Sequence, residues 1–376
     1  MIKKWVVHFL VFFIALVVTV IAADFAIKWA LKIPSNFLRG IVRFDPALSP
    51  PKRLKPNLRV DLTGDFREFR FHLSTTNDGF RRSDAPGIRE SVKPDVILLG
   101  DSQTFGVGVN DQDTFAARLS QKLKLPVLNT ACPGYNTIEQ LRLIESLLKS
   151  EHPKYVVLAF FAGNDPYENY ANRGLLEGKQ DGGPAVKGTE SKKPCALSAL
   201  KNFLVKNSSI YNCLMRLRRF EVVDHGLRAM RLINSEPPAE LAIFRRDRPL
   251  EKLKFWNVTE RAIHQINRAV TASGAKLVLL NLPDRYQVDR AYWDLWVKKY
   301  GLSPAQYDLS GPNAHLRRYC EDEQIPFLDV TKSLRWHAAQ GESVYWALDN
   351  HLSPKGHEVV AEFLFEYFVG AIAPVS

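Results

Sequence analysis

Five short apolar runs constrain this chain more than any other feature. They lie at residues 96–99, 127–128, 155–161, 276–282 and 326–330, and each gives way to small or polar residues. Their near-continuous apolar character suits strands covered on both faces rather than strands with one face in water. Helical periodicity fills 113–123, 137–149 and 258–273 between them, and 354–368 after the last. Strand–helix alternation of this kind folds as a parallel sheet with helices on both sides. The expected class is therefore α/β, a three-layer sandwich within residues 91–376.

One interval in that pattern is out of scale. Between the third and fourth runs, residues 177–194 have no apolar periodicity and are expected to be a mobile loop. Residues 196–207 and 209–223 read as amphipathic helices, so 171–256 is expected to be an insertion with helices of its own. This window holds 17 Lys+Arg against 9 Asp+Glu, which is most of the chain's formal net charge of +11. The excess is local and comes without a recognisable motif, which argues against nucleic acid as the partner. Arg216, Arg218, Arg219, Arg245, Arg246 and Arg248 read either as a solvated helix face or as a surface facing phosphate headgroups.

At the N-terminus, Trp5 to Ala23 are 19 residues without Asp, Glu, Lys or Arg. About 20 apolar residues suffice to cross a bilayer. A cleaved signal peptide is the competing reading, but its apolar core is usually only about 7–15 residues, and no clean Ala-x-Ala follows. Residues 1–30 are thus expected to be an uncleaved single-pass anchor in the inner membrane. Lys28, Lys32, Arg39 and Arg43 lie beyond the run and oppose a cytoplasmic N-terminus, yet long downstream domains translocate largely regardless of charge. The remainder is placed outside the inner membrane.

Residues 31–90 are read as a linker and hairpin segment. The Pro-rich stretch 44–57 is expected to be an extended spacer, because Pro fixes φ and cannot sustain a helix. Val60 and Leu62 before Thr63-Gly64-Asp65, with Phe69, Phe71 and Leu73 after it, have the period-two pattern of a β-hairpin. Of four cysteines, Cys195 and Cys213 flank a helical segment and could pair, while Cys132 and Cys320 look isolated.

Ligands of an open parallel sheet bind at the carboxyl ends of its strands. The first run ends in Gly100-Asp101-Ser102, the second is followed by Gly134, and the third by Gly163-Asn164-Asp165. Taken singly, these are caps and turns. Together they place a hydroxyl, a Gly N–H and a side-chain amide on one rim, the parts needed to attack a carbonyl and hold its charge. A free serine is a weak nucleophile and needs a base. Asp349 and His351, in the loop before the last helix, supply the best candidate; His357, inside the helical pattern, reads as a structural partner. Asp101, Asp165 and Asp284 are candidate substrate contacts on the same rim. Cys132 has no activating base nearby and reads as packing.

Gly100-Asp101-Ser102, Gly134, Gly163-Asn164-Asp165 and Asp349-x-His351 resemble, in this order, the four blocks of the SGNH (GDSL-type) hydrolase superfamily. The preceding 77–84 stretch, "NDGFRRSD", is similar to a segment upstream of the serine in bacterial members. The resemblance implies a flavodoxin-like αβα fold and acyl-ester hydrolysis or transfer. Ser102 would be the nucleophile, with Ser102 N–H, Gly134 N–H and the Asn164 amide as oxyanion hole, His351 as base and Asp349 as its orienter. The usual Asp-x-x-His spacing is shortened here to one intervening residue, Asn350, so His351 is the firmer assignment. No metal or other cofactor is expected.

The expected function is a membrane-anchored serine esterase removing acyl or acetyl groups from an envelope glycan or lipid. An acyltransferase passing the group from a membrane-bound acyl donor to a sugar hydroxyl, and a non-catalytic scaffold using the basic insertion, are the alternatives.

Overall fold

The computed structural model describes residues 2–31, 40–64, 68–83, 92–177, 236–247 and 254–372, with isolated positions between 208 and 226. Contacts divide the chain into two units, one of Met1–Phe37 with Thr189–Ser235, the other of Leu38–Gly188 with Glu236–Ser376.

In the first unit, residues Ile2–Leu31 form one helix of 30 residues, α1. Val11, Phe12, Val18, Ile21, Phe25 and Trp29 along it are exposed. Only part of its side chains is described, and among the described residues no helix is long and apolar enough to cross a membrane. Asp24, near its end, accepts hydrogen bonds from Ser208 Oγ at 3.0 Å and Ile210 N–H at 2.9 Å. The expected loop beyond Glu177, the helix expected over 196–207, and Cys195, Arg216, Arg218, Arg219 and Arg248 lie outside the described residues.

The second unit opens with two antiparallel pairs, β1 (Val42–Phe44) with β2 (Lys52–Leu54) and β3 (Arg59–Thr63) with β4 (Arg70–Ser74). The β3–β4 pair is the expected hairpin, with Leu62 opposite Phe71 and Val60 opposite Leu73. The stretch 44–57 is not a plain spacer. It carries β2 and turns back on β1 at Asp45–Pro51, where Asp45 N–H donates to Pro51 O at 2.7 Å. The prolines occupy the turn and leave the paired N–H groups to other residues, which is how a Pro-rich segment can still form a ladder.

The chain then alternates through β5 (Val96–Leu99), α2 (Ser102–Phe105), α3 (Phe115–Leu123), β6 (Val127–Asn129), α4 (Thr137–Leu147), β7 (Tyr155–Phe161) and α5 (Asp165–Ala171). After the insertion come α6 (Lys254–Ala272), β8 (Lys276–Leu282), α7 (Arg285–Val288), α8 (Arg290–Tyr300), α9 (Gly311–Asp322), β9 (Phe327–Asp329), α10 (Thr331–Ala339) and α11 (Pro354–Ile372). The five core strands are all parallel, in the order β6-β5-β7-β8-β9. This is the flavodoxin-like arrangement, whose direction of winding reverses between β5 and β7.

Both faces of the sheet are covered, as the apolar runs require. On one face Val96, Leu98, Val157, Ala159, Val278 and Leu280 meet Phe115 and Leu119 of α3 and Val360, Leu364 and Phe368 of α11. On the other, Phe160 packs against Trp256 of α6 with ring centroids 6.1 Å apart. Buried Asn169 ties that second layer: its Nδ2 donates to Thr137 Oγ1 at 3.0 Å and to Thr259 Oγ1 at 2.9 Å, linking α5 to α4 and α6. The helix starts are capped locally. Thr114 accepts from Ala117 N–H to begin α3, and Asn136 with Glu139 forms a reciprocal box that begins α4.

Candidate active site

The first strand end sets the geometry. Gly100 is required there: a Cβ at this position would stand 2.1 Å from Thr104 Oγ1, so only glycine lets α2 fold back over the strand it follows. Asp101 caps that turn, its Oδ1 accepting from Gln103 N–H at 2.9 Å. Ser102 is thereby the first residue of α2, at the edge of β5, beside the point where the sheet changes direction.

Buried Arg81, from the 77–84 stretch, braces the chain that leaves α2. Its guanidinium donates to Phe105 O at 2.7 Å, Gly106 O at 2.6 Å and Val109 O at 2.6 Å, and its Nε to Asp111 Oδ1 at 2.9 Å. The Phe71 and Phe105 rings flank it. A charge this deep is tolerable because each N–H is used.

Gly134 lies in the loop after β6 with φ +74°, and Asn164 in the loop after β7, at the cap of α5. At Gly134 space is not the issue, since a Cβ would approach nothing closer than Lys52 Nζ at 3.5 Å; the positive φ is what calls for glycine. Lys52 donates to Gly134 O and pairs with Glu139 at 3.4 Å, fixing the loop from the β1–β2 side. The exposed Gly134 backbone and the Asn164 side chain thus follow the two strands that neighbour or adjoin β5.

His351 reaches the same edge from the far end of the sequence. Its Nε2 is 2.8 Å from Ser102 Oγ, and its Nδ1 is hydrogen-bonded to Asp349 Oδ1, which also accepts from the His351 backbone N–H at 3.0 Å. The shortened spacing therefore still lets Asp349 meet Nδ1, because the carboxylate folds back over its own loop. That loop is a hairpin closed by Trp346 N–H to His351 O at 3.1 Å and Ser353 N–H to Val344 O at 3.0 Å. Arg285 donates to Trp346 O and Ala347 O, each at 2.8 Å, and Glu68 accepts from Leu348 N–H at 2.8 Å.

The other candidates fall differently. Asp101, Asp165 and Asp284 are 1%, 0% and 5% exposed, with their hydrogen bonds directed inward rather than toward a substrate. Asp165 Oδ2 accepts from Phe161 N–H at 2.9 Å. Asp284 caps α7 and receives Asn350 Nδ2 on both oxygens, at 3.1 and 3.2 Å. Burial pushes Asp101 up, and burial together with the nearby Asp101 holds Asp165 well above the carboxylate range. Glu168 is raised to about 7 by burial and by Asp101, and Asp284 to about 6 by burial. His357 is buried beside Phe115, its Nδ1 accepting the Phe115 N–H at 3.1 Å; burial keeps it neutral, lowering it well below the usual imidazole value. Among the described residues no group of His, Cys, Asp and Glu is placed to hold a metal ion.

The supporting residues Arg285, Glu68 and Arg81 carry no local signature of their role. Only Arg81 stood in a stretch marked by resemblance; the other two act on a loop far from them in sequence.

A hydroxyl, an imidazole and a carboxylate hydrogen-bonded in series at the carboxyl edge of a parallel αβα sheet define a serine hydrolase. A family model described as the GDSL-like lipase/acylhydrolase family matches residues 98–359, well over half of the chain, and the protein belongs to that family. No curated protein gives a significant match. Similar solved structures include TesA, with 13% identity over 72% of this chain and 96% of that one, at a TM-score of 0.37. The psychrotrophic esterase EstA from Pseudoalteromonas sp. gives 12% identity, 74% and 98% coverage, and a TM-score of 0.35. The acetyl xylan esterase AlAXEase gives 13%, 72% and 98%, and 0.39.

Proposed function

We propose that the protein is a membrane-anchored serine esterase that removes acyl groups, acetyl among them, from a glycan or lipid at the outer face of the inner membrane. The observation that carries this reading is the 2.8 Å approach of His351 Nε2 to Ser102 Oγ, with Asp349 behind the imidazole. Ser102 Oγ attacks the acyl carbonyl while its proton passes to His351 Nε2. The carbonyl oxygen becomes an oxyanion, for which Ser102 N–H, Gly134 N–H and the Asn164 amide are the donors. Collapse breaks the ester bond, His351 returns the proton to the leaving alcohol, and the acyl group stays on Ser102. Water then repeats the attack with His351 as base, and the carboxylic acid leaves. Asp349 holds the imidazole in the tautomer with Nδ1 protonated.

The anchor is supported by the charge-free run from Trp5 to Ala23 within the 30-residue α1, and by its exposed apolar side chains. At about 1.5 Å per residue such a run matches a bilayer's apolar thickness, and exposed apolar surface of this extent needs a cover.

The test uses the full chain in detergent with a fluorogenic acetyl ester. Activity lost in Ser102→Ala, together with an acyl-Ser102 adduct by mass spectrometry, supports the reading. Chasing that adduct separately with water and with an oligosaccharide tells hydrolysis from transfer. An active Ser102→Ala protein rejects the mechanism, and extraction of the chain from membranes by alkaline carbonate rejects the anchor.

A further inference from the structure

Gln103 follows the nucleophile directly, is 3% exposed, and has no part in the chemistry described so far. Its side chain leaves α2 toward the hairpin that carries His351. Nε2 donates to Asn350 O at 2.8 Å, and Oε1 accepts from Leu352 N–H at 3.1 Å. The two partners are the peptide groups on either side of His351, one an acceptor and one a donor. That pair fixes which way round the amide must sit, because its nitrogen only donates and its oxygen only accepts.

We infer that Gln103 is a positioning residue for the hydrolysis: its amide clamps the backbone on both sides of His351 and so fixes the imidazole against Ser102. The inference rests on Ser102 and His351 being nucleophile and base.

The physical case is one of shared origin. Ser102 and Gln103 are consecutive residues of one short helix, so whatever fixes the Gln103 backbone fixes Ser102. Asp101 Oδ1 does so through the Gln103 N–H. The hairpin is long-range, and nothing in its own sequence sets its height above β5. Arg285 and Glu68 hold its first half, at Trp346 to Leu348. Asp284 holds the Asn350 side chain. Of the two peptide groups that bracket the imidazole, His351 N–H and His351 O are used within the hairpin, by Asp349 Oδ1 and Trp346 N–H, and the outward pair, Asn350 O and Leu352 N–H, goes to Gln103. A side-chain amide here takes the place a neighbouring strand would have in a ladder, and it measures the base's position from the nucleophile's own helix. Misplacement of a catalytic group by about 1 Å can cost on the order of 10²-fold in rate.

The test measures phosphonylation of Ser102 by a fluorophosphonate ester, together with kcat and KM on the acetyl ester, in the full chain. Gln103→Met keeps the length and loses both bonds. It is expected to slow phosphonylation and kcat by on the order of 10²-fold, with KM within about twofold. Gln103→Glu separates positioning from mere packing, and stands in if the methionine variant does not fold. The introduced carboxyl repels Asn350 O when ionised, but when protonated it donates to Asn350 O and accepts from Leu352 N–H as the amide does. The ratio of its phosphonylation rate to that of the unsubstituted protein is therefore expected to rise as pH falls. His351, Asp349, Asp101 and Asp284 face the same place and titrate in both proteins, so the variant is compared with the unsubstituted protein at each pH. Full reactivity in Gln103→Met, or a Gln103→Glu ratio flat with pH, would overturn the clamp while leaving the serine mechanism standing. An unsubstituted protein that does not label at Ser102 would overturn both.

Discussion

His351 Nε2 and Ser102 Oγ lie 2.8 Å apart although 249 residues of chain separate them. A contact so distant in sequence forms only if β5 and the hairpin before α11 arrive at the same edge of the sheet. Its loss should be read in activity and not in folding. Ser102→Ala is expected to abolish ester hydrolysis, and His351→Ala to lower kcat/KM by about 10⁴-fold. Asp349→Ala removes the carboxylate but leaves the hairpin held by Arg285 and Gln103, so its loss should be smaller. Steady-state rates on the acetyl ester decide it; small and equal losses in all three would reject the assignment.

Asn164→Ala and Gly134→Ala test the proposed oxyanion hole in two ways. The first removes a side-chain donor and is expected to cost roughly 10²–10³ in kcat, with a small fall in melting temperature because Asn164 Nδ2 also donates to Glu168 Oε1 at 3.4 Å. The second adds only a methyl group at ordinary contact distance, 3.5 Å, from Lys52 Nζ, but at φ +74° it puts an L-residue in the left-handed region at about 1–2 kcal/mol. Gly134→Ala should therefore lower stability the more, and Asn164→Ala kcat the more. Thermal melts beside rate measurements distinguish the two patterns.

Glu168 makes a prediction about pH. Burial and Asp101 raise its carboxyl from 4.5 to about 7. Between those values the folded protein keeps a proton that the unfolded chain has lost, so this group makes stability fall as pH rises through the interval and leaves it level above. Glu168→Gln, which can still accept from Asn164 Nδ2, removes the effect. At pH 8 it should be more stable than the unsubstituted protein by about 3 kcal/mol, and at pH 4 equal to it. Urea unfolding at pH 4, 6 and 8 measures this. A difference independent of pH would mean that the Glu168 carboxyl titrates in the folded protein as it does in the unfolded chain.

The sheet was legible in the sequence because its strands are buried on both faces. Runs such as Tyr155–Phe161 have no polar positions to blur their ends, and the strand ends locate Ser102, Gly134 and Asn164 without tertiary information. The pairing of His351 with that edge followed from the last helix having to return to the sheet. What the sequence does not carry is the use made of individual polar side chains. Asp101, Asp165 and Asp284 stand at the rim in sequence, but each is buried and accepts from a backbone or amide N–H there, Asp101 and Asp165 through one oxygen and Asp284 through both. The β1–β2 pair was hidden because prolines fill its turn, and a Pro-rich composition is the same for a spacer and a turn.

Arg81 tests whether the segment before the nucleophile is part of the site's support. Its guanidinium holds three carbonyls of the chain leaving α2 and the Asp111 carboxylate. Arg81→Lys keeps the charge but offers only three donors on a single nitrogen, and so strands carbonyls in the interior. A buried carbonyl left without a donor typically costs about 1–3 kcal/mol. A fall in denaturation midpoint accompanied by lower kcat is expected; a midpoint unchanged by Arg81→Lys would mean that the network carries little of the stability.

Cys132, two residues before Gly134, is a second nucleophilic side chain close to the rim in sequence. It is 1% exposed, and burial pushes its thiol up to about 12, with Lys52 drawing it only partly back. Near neutrality the thiolate is a negligible fraction, and the thiolate is the reactive form. The residue therefore behaves as a small apolar side chain under the Gly134 loop. Cys132→Ala should keep kcat/KM within about twofold and lose on the order of 1 kcal/mol of stability from the vacated sulfur volume. Iodoacetamide should leave the folded enzyme active, whereas a fluorophosphonate ester should inactivate it. Inactivation by iodoacetamide that Cys132→Ala prevents would show that the loop opens enough to expose the thiol, and would make the Gly134 donor a moving part of the site rather than a fixed one.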